Sequence, residues 1–278
     1  MTTMKFAICN ETFVDWPFDK AFAYARELGY TGIEYAPFTM GKDANDISAE
    51  KRAEVRQQAE RAGLQGIGLH WLLAKTEGLY LTSPEEEVRA RTSAYLADLA
   101  RLCRDLDGEI LVLGSPQQRN LLPGVSRDAA MGYAAEVIRG AVDVMEQCDV
   151  TLAVEPLGTD EGDFLVTMAD GIELIELVDS PRCRLHLDVK AMSSEKDAVA
   201  DVIRRCAPYI AHFHANDPNL RGPGMGEVNF LPILAALLEV GYDGWVSVEV
   251  FDYEPGVEAL AEESIRYLQQ CLEKLGTP

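Results

Sequence analysis

The sequence predicts a single (β/α)₈ barrel, and three observations carry that prediction. Short apolar, β-rich segments alternate with amphipathic helical ones at roughly 30-residue spacing, the rhythm of repeated βαβ units. The length of 278 residues suits a barrel of this kind, which typically needs roughly 250. Four late segments also share one form: TLAVEPL carries Glu155, HLD ends on Asp188, HFH on His214, and VSVEV carries Glu249. A closing barrel gathers consecutive strand ends around a common centre, whereas a doubly wound sheet would line them along an edge. No GxGxxG follows the first segment, which counts further against the doubly wound alternative. One domain is expected over residues 1–278.

Taken in order, Phe6–Cys9 reads as the first strand and Asp15–Leu28 as a helix closed by Gly29. Gly32–Tyr35 is the second strand, with Glu34 inside it. Ile47–Ala62 is the second helix, ended by Gly63, and Gly66–Leu69 the third strand, with His70 and Trp71 at its exit. Ser83-Pro84 with Glu86 has the spacing of a capping box at the start of a long helix reaching about Leu106. Ile110–Leu113 is strand four and Ser126–Cys148 the helix after it. The strand of Glu155 ends at Pro156, which cannot continue a ladder, and a helix follows over Met168–Val178. Helices over Ala198–Cys206, Leu231–Val240 and Val257–Leu275 follow the strands of Asp188, His214 and Glu249.

Composition narrows the function. A net charge of −21 repels phosphate backbones, and there is no Lys/Arg block, so no nucleic-acid partner is expected. No window approaches the roughly 20 apolar residues of a membrane span, and the N-terminus has no apolar run behind a basic flank, so a soluble, cytoplasmic protein is expected. The six cysteines are scattered without a CxxC and read as buried reduced thiols.

A single strand-end carboxylate is as well explained by a hydrogen bond to a neighbouring loop as by catalysis. Four ligand types on consecutive strand ends point instead to a metal site, because barrel strand ends collect catalytic groups. Three carboxylates so placed would repel one another without a cation between them. Two Glu, one Asp and one His suit Mn²⁺, Mg²⁺ or Co²⁺ better than a structural zinc. His186 and His212 each precede a ligand by two and share its inward face one layer lower, where core histidines with satisfied nitrogens are the expectation. His70 and Trp71 at the mouth suit a sugar-stacking wall or plain packing. Asn216, also expected to bind substrate, and Asp217 are candidates to support the histidine ligand. The glycine-rich RGPGMGEV after strand seven lacks the Lys-Ser/Thr of a phosphate loop and reads as a lid carrying Glu227.

On VEPL, HLD, HFHAND and VSVEV, and on the separations 155 to 188 to 214 to 249, the chain resembles the xylose isomerase-like barrel superfamily over nearly its full length. Within it, the chain resembles the D-tagatose and D-psicose (allulose) 3-epimerases. The resemblance implies Glu155, Asp188, His214 and Glu249 as ligands of one divalent metal, Mn²⁺ foremost, with Mg²⁺, Co²⁺ or Zn²⁺ as the other candidates. It implies Glu155 and Glu249 as the acid–base pair of a ketose or keto-sugar epimerase working through a cis-enediolate. Glu161 matches a further substrate-contacting glutamate of the family. Ala191 stands where the family has a histidine, with Lys190 beside it as a substitute for an oxidised, acidic or phosphorylated substrate. Arg221 is one residue beyond the offset of a substrate-binding arginine, and Val166 replaces a frequent asparagine. Aldose–ketose isomerisation and keto-sugar lyase or dehydratase chemistry start from the same proton abstraction. A non-catalytic sugar-binding barrel is the alternative of another class. The DNA-repair endonucleases of the superfamily would need more histidines than the four present. Dimers or tetramers are common in the group.

Overall fold

The structure, a computed structural model, describes residues 4–276. Eight parallel strands close in sequence order: β1 (Lys5–Cys9), β2 (Gly32–Tyr35), β3 (Gln65–Leu69), β4 (Ile110–Leu113), β5 (Thr151–Val154), β6 (Cys183–Asp188), β7 (Ile210–Ala215) and β8 (Trp245–Val248), which returns to β1. Closure leaves no open sheet edge. The strands read as near-continuous apolar runs because helices cover their outer faces.

Those helices are α1 (Phe18–Leu28), α2 (Ala49–Ala62), α3 (Glu86–Asp105), α4 (Arg127–Cys148), α5 (Met168–Val178), α6 (Val189–Met192), α7 (Val199–Cys206), α8 (Phe230–Glu239) and α9 (Val257–Lys274). Local chemistry sets their ends. Ser48 and Ser126 cap α2 and α4 through their side-chain oxygens, and Thr167 with Asp170 forms a full capping box on α5. Gly29 and Gly63 close α1 and α2 in left-handed conformation.

Two expected starts move. Helix α1 begins at Phe18 rather than Asp15, since Asp15 is left-handed (φ 62°) and Pro17 takes the capping position. The capping box expected at Ser83 does not form: α3 starts at Glu86 with Glu85 as its cap and no side-chain bond. The Ser83 hydroxyl instead accepts the Glu85 amide in a short turn, and the Arg89 guanidinium takes the carbonyls of Ser83 and Pro84. The four-residue α6 has no counterpart among the expected helices. It is nucleated by Asp188, whose Oδ1 accepts the Ala191 amide at 2.8 Å.

The interior of the barrel is unusually polar. Across β6 and β7, His186 pairs with His212 and Asp188 with His214; across β1 and β2, Cys9 pairs with Glu34. All six side chains are fully buried. The cysteines carry no disulfide: all six are free and buried. Among the described residues no helix is long and apolar enough to cross a membrane.

Candidate active site

The strand ends deliver the expected groups to one place. Asp188 and His214 are the last and next-to-last residues of β6 and β7, while Glu155 and Glu249 each follow the end of their strand, β5 and β8. Ligand atoms of Glu155, His186, Asp188 and His214 lie within 4.8 Å of one another. Glu249 joins them through His214, whose Nδ1 is 2.9 Å from Glu249 Oε2. Gly114, at the exit of β4, makes room for Glu155: a Cβ there would stand 2.3 Å from Glu155 Oε2.

Each of these groups is held from behind. Asn216 donates to Asp188 Oδ2 at 2.6 Å and accepts the Lys190 amide, so it is a positioning residue, buried and spent on Asp188. Trp71 Nε1 donates to Glu249 Oε1 at 3.1 Å. Arg119, buried and without any signal in the sequence, donates to the Glu155 carbonyl at 2.6 Å and to the Leu165 carbonyl at 3.1 Å. Glu34 takes His212 Nε2 at 2.9 Å and His214 Nε2 at 3.1 Å. His70 Nε2 meets Glu11 Oε2 at 2.7 Å. The signal for Glu34 was a lone carboxylate inside a strand whose two faces are both buried, where an unpaired charge is too costly to keep.

One expectation about the lower layer is corrected. His212 has one ring nitrogen satisfied, by Glu34, but neither nitrogen of His186 has a hydrogen-bond partner. The alternation in HLHLD puts His186 on the same inward face as Asp188, and β6 shifts register between Leu185 and His186. His186 packs against His214, ring centroids 4.2 Å apart, with a ring nitrogen within 4.8 Å of oxygens of Glu155 and Asp188 but hydrogen-bonded to neither.

The electrostatics describe a gathering of like charges. Burial pushes the Glu155 carboxyl well above its usual range, and Asp188 and Glu249 push it further. Burial also raises Asp188, against the pull of Lys190. Glu249 is raised by burial too, but the His214 imidazole outweighs this and holds it below the usual range. Burial would likewise raise Glu34, yet His212 and His214 hold it far below. Two carboxyls raised by burial, a histidine with both nitrogens free and hard oxygen donors in reach make a donor set that fits one divalent cation.

Three cavities open at this end of the barrel. The smallest of the three holds about 80 Å³ and is lined by His70, Trp71, Gly114, Glu155, Glu161 and Glu249, among others. A second, of about 440 Å³, lies over β5–β7, with Glu161, Lys190, Ser193 and Ser194 in its wall. A third, of about 950 Å³, lies over β1–β3. Glu161 and Lys190 form an ion pair between the first two. Burial opposes the Lys190 charge, but Asp188 and Glu161 win and raise it to about 12. Lys190 also sits 4.4 Å over the Phe251 ring, and Phe251 is 6.1 Å from Trp71. Arg221 is directed elsewhere: its guanidinium is committed to Asp252 at 2.8 Å and Glu254 at 2.7 Å, and it lines none of these cavities. His70 and Trp71 both line the 80 Å³ cavity, His70 buried and tied to Glu11. The glycine-rich loop expected to act as a lid is stapled by Asp217, which accepts the amides of Asn219 and Val228. Glu227 lines none of the three cavities.

Comparison with known proteins supports the barrel fold. The profile of the family described as "Xylose isomerase-like TIM barrel" matches residues 22–271. A D-psicose 3-epimerase of Agrobacterium fabrum is 30% identical over 232 residues, 81% of this chain and 76% of that protein. Another, from Ruminiclostridium cellulolyticum, is 27% identical over 173 residues, 62% of this chain, and the match spans 59% of that relative's length. The crystal structure of a D-psicose 3-epimerase in the presence of D-fructose superposes with a TM-score of 0.85, covering 97% of this chain and 99% of that one at 23% identity.

Proposed function

The chain belongs to the xylose isomerase-like TIM barrel family and is an isomerase of the ketose 3-epimerase type, and from that premise we propose that it epimerises a ketose or keto-sugar derivative by proton transfer between Glu155 and Glu249. One observation carries the reading: both carboxylates line the same cavity of about 80 Å³, yet they come from β5 and β8, three places apart around the ring. They therefore reach a shared substrate from different sides. Inversion of a carbon beside a carbonyl needs that arrangement, because a lone base exchanges the proton on one face only.

In this mechanism one carboxylate removes the proton next to the carbonyl, leaving an enediolate, and the other returns a proton to the opposite face. Glu155, Asp188, His214 and Glu249 would hold the divalent cation, Mn²⁺ foremost, with His186 close enough to contribute. Such a cation, when bound, supplies charge stabilisation for oxygens that become negative. The protein's own share is orientation. Trp71 fixes Glu249, Arg119 fixes the backbone of Glu155, and Asn216 and Glu34 brace Asp188 and His214. Glu161 and Lys190 sit where they would take substrate hydroxyls, and the rings of Trp71 and Phe251 exclude water from the reacting carbon.

The test is proton exchange in D₂O with a panel of ketoses and 3-keto sugars, followed by NMR on metal-stripped and Mn²⁺-restored protein. Metal-dependent deuterium uptake at one carbon, with a new epimer, is expected. Full exchange in Glu155→Gln or Glu249→Gln would reject the proton-transfer pair. A second reading is β-elimination from the same carbanion. It is favoured by the apolar, buried Ala191 at the position where the resembled enzymes carry a histidine, and loss of water alongside exchange would select it.

A further inference from the structure

We infer that the cleft over β1–β3 is a subsite for a glycosyl unit, so that the substrate is a ketose or keto-sugar bearing a second sugar ring. This rests on the epimerase reading, which supplies the reacting end of that substrate. The reacting cavity, about 80 Å³, is small beside the roughly 300–1,000 Å³ of ordinary ligand sites. A sugar would therefore extend from it, and the 440 Å³ space over β5–β7 is open to the rest of a monosaccharide. A further 950 Å³ on the other side lies at the upper end of small-ligand sites, roughly 300–1,000 Å³.

That cleft is continuous with the chemistry. Trp71 lines both spaces and donates to Glu249, and Glu11 in the cleft wall pairs with His70 in the reacting cavity. Its walls carry the marks of a binding surface. Glu11 is buried, and its Oε1 has no hydrogen-bond partner. Asp15, Trp71 and Lys75, all lining the cleft, are non-glycine residues with left-handed backbones (φ 62°, 55° and 62°). Strain of that kind persists where a surface is shaped for a ligand. Two large apolar side chains left in solvent, Val14 and Tyr253, stand at the same cleft, 44% and 37% exposed.

The lining also chooses the ligand. Aromatic rings of Trp16, Phe38, Trp71 and Tyr253 line the cleft, with Lys20 over one face of Trp16 and Lys75 over one face of Phe38, and the ring surface left free suits the C–H side of a pyranose. Four carboxylates (Glu11, Asp15, Asp19, Glu54) against two lysines (Lys51, Lys75) disfavour a phosphate or carboxylate. A wholly apolar group would leave the buried Glu11 Oε1 without a partner. A neutral ring rich in hydroxyl donors meets both demands.

The experiment compares D-fructose with lactulose and isomaltulose, ketoses that carry a second ring and keep a free hydroxyl at C3. Affinities are taken by calorimetric titration and kcat/KM from deuterium exchange, for wild type, Trp16→Ala and Tyr253→Ala. At least one disaccharide is expected to bind about tenfold tighter than D-fructose, and each variant should bring that ratio back toward one. Tyr253 is a surface residue, so its variant keeps the test alive if Trp16→Ala fails to fold. Equal affinities in the wild type, or a ratio that survives both variants, would overturn the subsite. Absence of exchange with every sugar would condemn the epimerase reading instead, while the binding ratio would still decide the cleft.

Discussion

The two halves of the barrel mouth are built for different tasks. Strands β5 to β8 end on Glu155, Asp188, His214 and Glu249; Asp188, His214 and Glu249 are each braced by hydrogen bonds, while His186 beneath them keeps both nitrogens free. Strands β1 to β3 end in Asn10 and Glu11, Ala36 and His70, and open into a wide aromatic cleft with strained backbone and exposed apolar side chains. One half is rigid and charged; the other is roomy and amphipathic. Proton transfer needs reacting groups held to fractions of an ångström, while recognition of a ring by stacking tolerates a looser fit. The glutamates Glu11 and Glu34 connect the halves, because both belong to the early strands yet pair with histidines facing the reaction centre.

The sharpest way to break this comparison is to remove a base. Glu155→Gln or Glu249→Gln is expected to lower exchange by about 10²–10⁴-fold, with sugar binding partly retained by calorimetry. Chelation of the metal should abolish exchange, lower the thermal midpoint and be reversed by Mn²⁺. An unaltered exchange rate after verified metal removal would refute the cation's role. Gly114→Ala places a methyl against Glu155 Oε2. It should cost on the order of 10²-fold in kcat with little change in KM, and an unchanged kcat would mean the carboxylate has freedom the geometry denies it.

Smaller effects test the bracing. Glu34→Gln, which weakens the support of His214, should reduce Mn²⁺ affinity by about 10–100-fold, read by titration under equilibrium conditions; an unchanged affinity would make Glu34 a structural residue only. The smallest effect concerns the scaffold behind β5. Burial raises the Asp170 carboxyl, but the Thr167 amide and the Arg127 guanidinium outweigh it and hold it below its usual range. A depressed folded-state pKa contributes stability above the unfolded value of about 3.9 that is lost as pH falls through the folded one. Asp170→Ala should therefore destabilise the protein at about pH 7 in urea, and the difference should shrink at about pH 3. A gap that stays constant with pH would show that the box acts through something other than the carboxylate charge.

Much of the fold is legible in the sequence, because each strand is short, apolar and flanked by turn chemistry, and Ser126, Gly29 and Gly63 mark helix ends that the structure keeps. The displaced starts of α1 and α3 have local causes: Asp15 is left-handed and Pro17 takes the cap of α1, while Ser83 accepts the Glu85 amide and Arg89 takes the carbonyls of Ser83 and Pro84. The meeting of Glu155, Asp188, His214 and Glu249 is likewise readable, since strand order alone brings consecutive strand ends together. The surroundings of His186 are not, because alternation tells which face a side chain takes and says nothing of what stands opposite.

Residue type and period thus sufficed for the barrel, its closure, and the identity of the four groups at its mouth. All three depend on pattern, and pattern is local. Which charge sits beside which was decided by the packed structure: Arg119 under Glu155, Glu34 behind His214, and Arg221 turned to Asp252 and Glu254. These pairings join residues that no period relates, and a long side chain takes whichever buried partner best offsets the loss of water. The size of the cleft over β1–β3 was decided the same way, because a cavity is what packing leaves over.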